Sequence, residues 1–333
     1  MIVDSVLELI GKTPMIKFQN SSNDWELYLK LEKSNPGQSI KDRAALKMVF
    51  DAEANGTLKP GGTIIESSSG NMAVGLAIIA AVRGYKFLAI LDPSTPDEKI
   101  NMIRAYGAEV IIIKPSDEMD VGPALAQREK YASDLAKRTP NSVYMEQHNN
   151  PSNTAAYPGT LVLELLADVP DFDLLFGAIG TSGSICGTSK GLRESGHTCK
   201  VIAVEPKGSI FFSDAGGSFL QSGTGNPPGA ELPRILDRSL IDEGLQVTDV
   251  EAFCTCRVVA RKFGVLLGGS AGGVLFKAHE YLQRLNGKGK AIVLAADGGE
   301  RYTSTIYDDK WMSKNHLLNF ELEDEIARGL HQD

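Results

Sequence analysis

Four cysteines in 333 residues are too few for a disulfide framework. Cys254 and Cys256 stand closer together than zinc-binding pairs are spaced, and no histidine lies nearby to complete a site. Runs of basic residues are also missing. With 34 Lys and Arg against 42 Asp and Glu the net charge is −8, which argues against nucleic acid and anionic membrane as partners. Long apolar runs are absent as well: AVGLAIIAAV (73–82) falls far short of the ~20 residues needed to span a bilayer. The first residues, MIVDSVLELIGKTP, carry an acid where a secretory signal needs bases, and they offer no small-residue cleavage site. No internal repeat, low-complexity tract or long linker interrupts the chain. Together these absences lead us to expect a cytoplasmic, reduced protein without a structural metal.

What is present, 42% hydrophobic and 23% charged residues, is ordinary for a soluble globular protein, and the length suggests about two domains. Strand-like runs alternate with helical ones. TIIES (63–67) precedes NMAVGLAIIAAVRG, a helix stopped at Gly84; KFLAILD (86–92), a helix over 97–107 and AEVIIIK (108–114) follow. The rhythm returns in DLLFGAIG (173–180), a Gly-rich turn, a helix and KVIAVEP (200–206), and once more in GKAIVLAAD (289–297). These runs do not alternate polar with apolar, so they read as strands buried on both faces, which implies parallel α/β sheets. We expect one lobe over residues 35–150, with 90–135 as a candidate mobile subdomain. A second lobe spans 151–333 together with 1–34, whose ELYLKLEK (26–33) is a further strand candidate. A small-molecule site is expected in the cleft between the lobes.

Four segments carry the chemistry. GTSGSICG (180–187) joins a buried strand to a helix. Its glycines admit close approach, its hydroxyls donate, and the helix start offers free N–H groups, a combination that binds a phosphate monoester. Taken alone the loop is equally well a tight turn. Glu205, about twenty residues on, also invites a dinucleotide fold and an NAD-dependent dehydrogenase, but the spacing is G-x-x-G-x-x-x-G rather than G-x-G-x-x-G. SSSGN (67–71) is a second strand-to-helix turn, with amides suited to a carboxylate. GGSAGG (268–273) presents Ser270. NPGQSIKDR (35–43) sets Lys41 at a helix start, where a partly dry site lowers the amine pKa and favours Schiff-base chemistry.

LEKSNPGQSIKDR, ESSSGNMAVGLA, GTSGSICG, GGSAGG and DGGERY resemble, in order and over almost the whole chain, the pyridoxal-phosphate enzymes of the cysteine synthase and cystathionine β-synthase family. The resemblance implies a fold-type II architecture like that of the tryptophan synthase β-chain, with the cofactor between two parallel-sheet α/β domains. It implies that Lys41 holds pyridoxal 5'-phosphate as a Schiff base and that Asn71 bonds the ring's phenolic oxygen. Gly180, Thr181, Ser182, Gly183 and Ser184 would hold the phosphate, and Ser270 would face the pyridine nitrogen. Ser67, Ser68, Ser69 and Gly70, with Gln147, would clamp the substrate carboxylate. The implied reaction is β-replacement on an O-activated L-serine through an aminoacrylate, with Lys41 as the base at Cα, in a homodimer acting on small amino-acid substrates. A regulatory relative would bind the cofactor without turning over.

The chain departs from common cysteine synthases: Ser182 and Ser184 replace glycine and threonine, and His148 in EQHNN replaces an aromatic. Pro227, Pro228 and Gly229 replace the substrate-loop GIG, and Asp92 replaces methionine. These traits, with KGSIFF (207–212), are most similar to the siderophore-pathway branch that joins O-phospho-L-serine to L-glutamate, giving N-(2-amino-2-carboxyethyl)-L-glutamate. The Pro-Pro loop does not match that branch. Cysteine synthase and cystathionine β-synthase activities are the alternatives. Arg128 shares a helical face with Leu125, Ala132 and Leu135, where a cation needs a partner; a leaving phosphate or a glutamate carboxylate would serve, or its stem snorkels past the core edge. His148 beside Gln147 is a further candidate for contact with substrate.

Overall fold

The computed structural model describes residues 2–20, 24–68, 70–93, 95, 97–114 and 124–331. The chain opens with an antiparallel pair, β1 (Met15–Asn20) and β2 (Asp24–Leu31). A turn then leads into α1 (Lys41–Ala54). Strands and helices alternate through β3 (Thr63–Ser67), α2 (Asn71–Arg83), β4 (Lys86–Leu91), α3 (Asp97–Ala105) and β5 (Glu109–Ile112). This block ends with α4 (Ala124–Arg138) and the short β6 (Ser142–Tyr144). Its four strands form a wholly parallel sheet in the order β5-β4-β3-β6.

Two short helices follow, α5 (Pro151–Ala155) and α6 (Leu163–Asp168). Then come β7 (Leu174–Ala178), α7 (Gly183–Glu194), β8 (Lys200–Pro206) and β9 (Glu243–Val247). The helices α8 (Asp249–Phe263) and α9 (Gly269–Gln283) precede β10 (Lys288–Ala295). The chain continues through α10 (Asp309–Lys314) and α11 (Phe320–Gly329) to the two-residue β11 (Leu330–His331). The second sheet runs β11-β1-β2-β10-β7-β8-β9. It is parallel from β2 to β9, but β1 is antiparallel to both of its neighbours. The protein thus has two α/β domains with parallel-sheet cores, the larger of which carries an antiparallel edge.

The buried strands follow from composition. β3 is covered along its length, as a Val/Ile/Leu-rich strand flanked by helices on both faces must be. Helix ends follow from capping. Gly84 ends α2 at φ +74, a conformation glycine adopts without strain. At α8, Thr248 and Glu251 bond each other's backbone N–H in a capping box.

One contact positions the site. Ser39 bridges Asp297 in antiparallel fashion, and the Ile40 N–H donates to the Ala296 carbonyl at 2.8 Å. The turn before α1 is therefore stitched to the end of β10, bringing the first residue of one domain's leading helix to the C-terminal edge of the other domain's sheet. No helix among the described residues is long and apolar enough to cross a membrane.

Candidate active site

A cavity of about 590 Å³ opens between the C-terminal ends of the two sheets, where parallel sheets bind ligands. Lys41, Ser68, Asn71, Thr181 and Ser270 line it, so the segments after β3 and β7 meet the starts of α1 and α9 there. Lys41 Nζ lies 3.5 Å from Thr181 Oγ1, its one recorded polar contact and a weak one. Burial lowers the amine pKa to about 8, and the nearby Asp297 charge only partly opposes this. An amine so placed is substantially neutral near pH 8, ready for nucleophilic or basic work.

The phosphate loop is built tightly. Ser182 caps α7 in the left-handed region at φ +65, and its buried Oγ has no protein partner. A Cβ at Gly183 would lie 2.2 Å from Asn153 Oδ1, and one at Gly180 would lie 2.8 Å from the Gly223 carbonyl, so side chains are excluded there. Asn153 Nδ2 donates to Thr181 Oγ1 at 3.2 Å and to the Gln147 carbonyl at 2.8 Å. The left-handed backbone costs a non-glycine residue about 1–2 kcal/mol. Ser182→Gly should therefore raise the melting temperature of the cofactor-free protein by about 2 °C. The gain should shrink once an anion satisfies the wild-type hydroxyl; calorimetry with and without cofactor measures both.

Asn71, at the start of α2, is held at both ends of its amide. Its Nδ2 donates to Asp297 Oδ2 at 2.9 Å, and its Oδ1 accepts from Arg301 Nη1 at 2.6 Å. That pattern assigns oxygen and nitrogen unambiguously, leaving a second Nδ2–H for the cavity. Asp297 is buried and also accepts from Tyr302 Oη at 2.8 Å; burial pushes its pKa up.

Just before Asn71, Ser68 and Gly70 line the cavity, Ser67 is buried with an unpartnered Oγ, and Gln147 Nε2 donates to the Ser67 carbonyl at 3.4 Å. Ser69 lies outside the described residues. Arg128 lines the cavity, but Asp92 supplies the counter-charge expected of a ligand, its Oδ2 accepting from Nη1 at 2.9 Å. His148 also lines it, with Nδ1 2.7 Å from Glu129 Oε1. Gly229 does not. It is exposed at φ +78 in a β-turn closed by Ala230 N–H to the Pro227 carbonyl at 3.2 Å, so its place reflects turn geometry. The cavity side of that loop is Gly217–Pro227. Sequence reasoning missed Asn153, Asp297, Arg301 and Glu129. The last three lay within quoted segments or next to a singled-out residue, but only the fold reveals their partners.

The donor set fits pyridoxal phosphate: a depressed lysine, an orphaned buried hydroxyl at a helix start, a cradle that a Cβ would fill, and an oriented amide. Comparison with known proteins agrees, and the chain belongs to the family described as pyridoxal-phosphate dependent enzymes, whose profile matches residues 6–297. Its relatives and the activity they share, β-replacement on serine derivatives, make it an enzyme of the cysteine synthase type. It is 44% identical over 320 residues to a putative cysteine synthase of Sinorhizobium fredii, covering 96% of this chain and 95% of that one. It is 38% identical to a probable cysteine synthase of Bacillus subtilis, covering 93% and 98%. The crystal structure of an O-ureido-L-serine synthase superimposes with a TM-score of 0.85 at 32% identity, covering 94% of this chain and 100% of that one.

Proposed function

We propose that the chain joins O-phospho-L-serine to the amine of L-glutamate, giving N-(2-amino-2-carboxyethyl)-L-glutamate. It would act in the cytoplasm as a homodimer, within a siderophore or 2,3-diaminopropionate pathway. In this reading residues 35–150 form the lysine-bearing domain, and 1–34 with 151–333 form the phosphate-binding one. When bound, pyridoxal phosphate supplies an aldehyde for the substrate amine and an electron-withdrawing ring. Lys41 makes the covalent link and then takes the proton at substrate Cα. Gly180–Ser184 would hold the phosphate group, and Asn71 would donate to the phenolic oxygen. Ser270 would meet the ring nitrogen as a neutral hydroxyl, which would favour expulsion of a β substituent. Ser67–Gly70 and Gln147 hold the substrate carboxylate.

The observation that carries the choice of substrates is Arg128. It lines the cavity, yet its buried Nε–H has no protein acceptor. With Asp92 beside it, this wall offers both signs of charge and suits an anionic or zwitterionic amino acid better than hydrosulfide. Cysteine synthase activity is the second reading, favoured by the names of the two bacterial relatives. The two separate by mass spectrometry of products from O-phospho-L-serine or O-acetyl-L-serine, each with glutamate or sulfide. We expect the glutamate adduct. Arg128→Ala should raise KM for the phosphorylated donor about tenfold or more, the size of a lost charged hydrogen bond, and should spare the acetylated one. Efficient cysteine formation with glutamate inert would overturn the choice of nucleophile. Equal loss for both donors would overturn the role of Arg128.

A further inference from the structure

Arg128 and Glu129 are neighbours on α4; Arg128 lines the cavity, and Glu129 meets a residue that does, His148. Arg128 is paired with Asp92, which leaves the Glu129 carboxylate to His148, 2.7 Å from Nδ1. Both members of this second pair are partly buried. The other acids nearby do not compete. Glu66 is fully buried, and burial together with the Glu129 charge pushes its pKa well up. Glu146 accepts from Asn149 Nδ2 at 2.9 Å. A carboxylate on Nδ1 fixes the imidazole as the Nδ1–H tautomer and leaves Nε2 as the acceptor. His148 lines the cavity, and no partner is recorded for Nε2 among the described residues. A histidine retained only for packing would be satisfied at both nitrogens or turned away from the cavity.

We infer that Glu129 and His148 form an orienting-carboxylate and imidazole pair in which Nε2 carries the proton exchanged between the incoming nucleophile and the departing oxygen. The nucleophile is therefore one that must shed a proton once it has bonded to carbon, an amine rather than hydrosulfide. The inference rests on the β-replacement reading above. The balance is simple. Lys41 takes the proton at Cα, and the pair left behind becomes a Cα–Cβ double bond. The Cβ–O bond breaks with its electron pair on oxygen, and that oxygen takes the proton from the imidazolium. The neutral amine's lone pair then forms the new bond to Cβ, and the double-bond pair returns to Cα with the proton from Lys41. The proton the nitrogen sheds restores the imidazolium at Nε2. Nothing is oxidised or reduced. His148 is a catalytic residue by this account, and Glu129 is a positioning residue acting through it.

Two measurements on the cofactor-loaded enzyme test the pair. The chain holds only five histidines, so histidine-labelled protein compared with His148→Gln assigns His148 by difference in nitrogen NMR. The neutral ring should be the Nδ1–H tautomer in the wild type, and Glu129→Gln should disturb that preference; an Nε2–H tautomer overturns the inference. In rapid mixing after donor loading, His148→Gln should lower the ratio of glutamate to hydrosulfide transfer by about 10²-fold, the low end for a lost general base. An unchanged ratio, or a wild type that consumes donor but transfers only hydrosulfide, overturns the inference. A wild type that releases neither acetate nor phosphate from any donor would instead overturn the β-replacement reading beneath it.

Discussion

Lys41→Ala is expected to leave a folded protein that turns over at least about 10³-fold more slowly. The size follows from two losses at one atom: the covalent attachment point and the base at substrate Cα, the latter alone worth about 10²–10⁴-fold. The fold should tolerate the change. Lys41 makes no ion pair among the described residues, its one recorded hydrogen bond is 3.5 Å long, and its amine is desolvated rather than supported. Removing such a charge relieves burial cost instead of stranding a partner. Borohydride reduction of the wild type should fix the cofactor on the peptide containing position 41 and fix nothing in the variant, as peptide mass spectrometry would read. The pH dependence has a definite sign. Attachment needs the neutral amine, whose fraction grows as pH passes the amine pKa, so the attachment rate of cofactor-free wild type should climb through about pH 8. An ordinary lysine would place that limb near 10.4. Activity within tenfold of wild type, or a wild type in which borohydride fixes nothing on the peptide containing position 41, would remove the basis of the mechanism.

The sheet strands were legible where burial on both faces had purged polar residues. TIIES and KVIAVEP become β3 and β8 with the bounds expected from composition. The helical face shared by Leu125, Arg128, Ala132 and Leu135 likewise lies on α4. Strands without that signature were harder to find. ELYLKLEK does supply most of β2. EGLQV, with its glycine and glutamine, raised no expectation, yet it forms β9, the edge of the larger sheet, where one-sided pairing tolerates polar residues. The three residues of β6 are too few to show any period. In the site, motif order was enough to gather Lys41, Asn71, Thr181 and Ser270, because each stands at a strand end or helix start whose direction the parallel sheet dictates. The charge pairing of its far wall was not. Arg128 with Asp92, and His148 with Glu129, are contacts between α4 and the loops after β4 and β6. No helical or strand period relates such residues. A cation on an apolar stripe announces that a partner exists, but only the fold says that the partner is Asp92.

Arg43 explains the charged tail of NPGQSIKDR and should be the costliest side chain to remove for stability. Its guanidinium grips Glu32 through Nε and Nη2 at 2.7 and 2.8 Å, and Glu164 through Nη1 and Nη2 at 2.7 and 2.8 Å. Glu32 is wholly buried. Arg43→Met would leave that carboxylate with only Thr13 Oγ1 and the Asn35 amide as donors, so we expect a loss of about 3–5 kcal/mol, as for other broken buried pairs. Denaturant unfolding measures it; a loss below about 1 kcal/mol would refute the account. The charge, more than the contact, is at issue, and the double variant Glu32→Leu/Arg43→Met should recover much of the loss, because apolar replacement of both partners strands nothing. Acid adds an independent check. Burial raises the Glu164 pKa, but Arg43 outweighs it and brings the group down to about 2. A depressed folded pKa gives stability that is fully present above the unfolded value near 4.3 and lost as pH falls towards 2. Wild type should weaken across that window, and Arg43→Met should weaken much less, since only Lys30, 3.0 Å away, and the Lys12 and Thr13 backbone N–H groups still hold Glu164. The consequence reaches the cavity because Arg43 sits two residues beyond Lys41 on the first turn of α1. It ties that turn to the loop after β2 and to α6, so the helix start that aims the amine is braced from behind by buried charge. Arg43→Met should accordingly bind cofactor more weakly even at temperatures where it remains folded, whereas the double variant should regain stability sooner than it regains cofactor affinity.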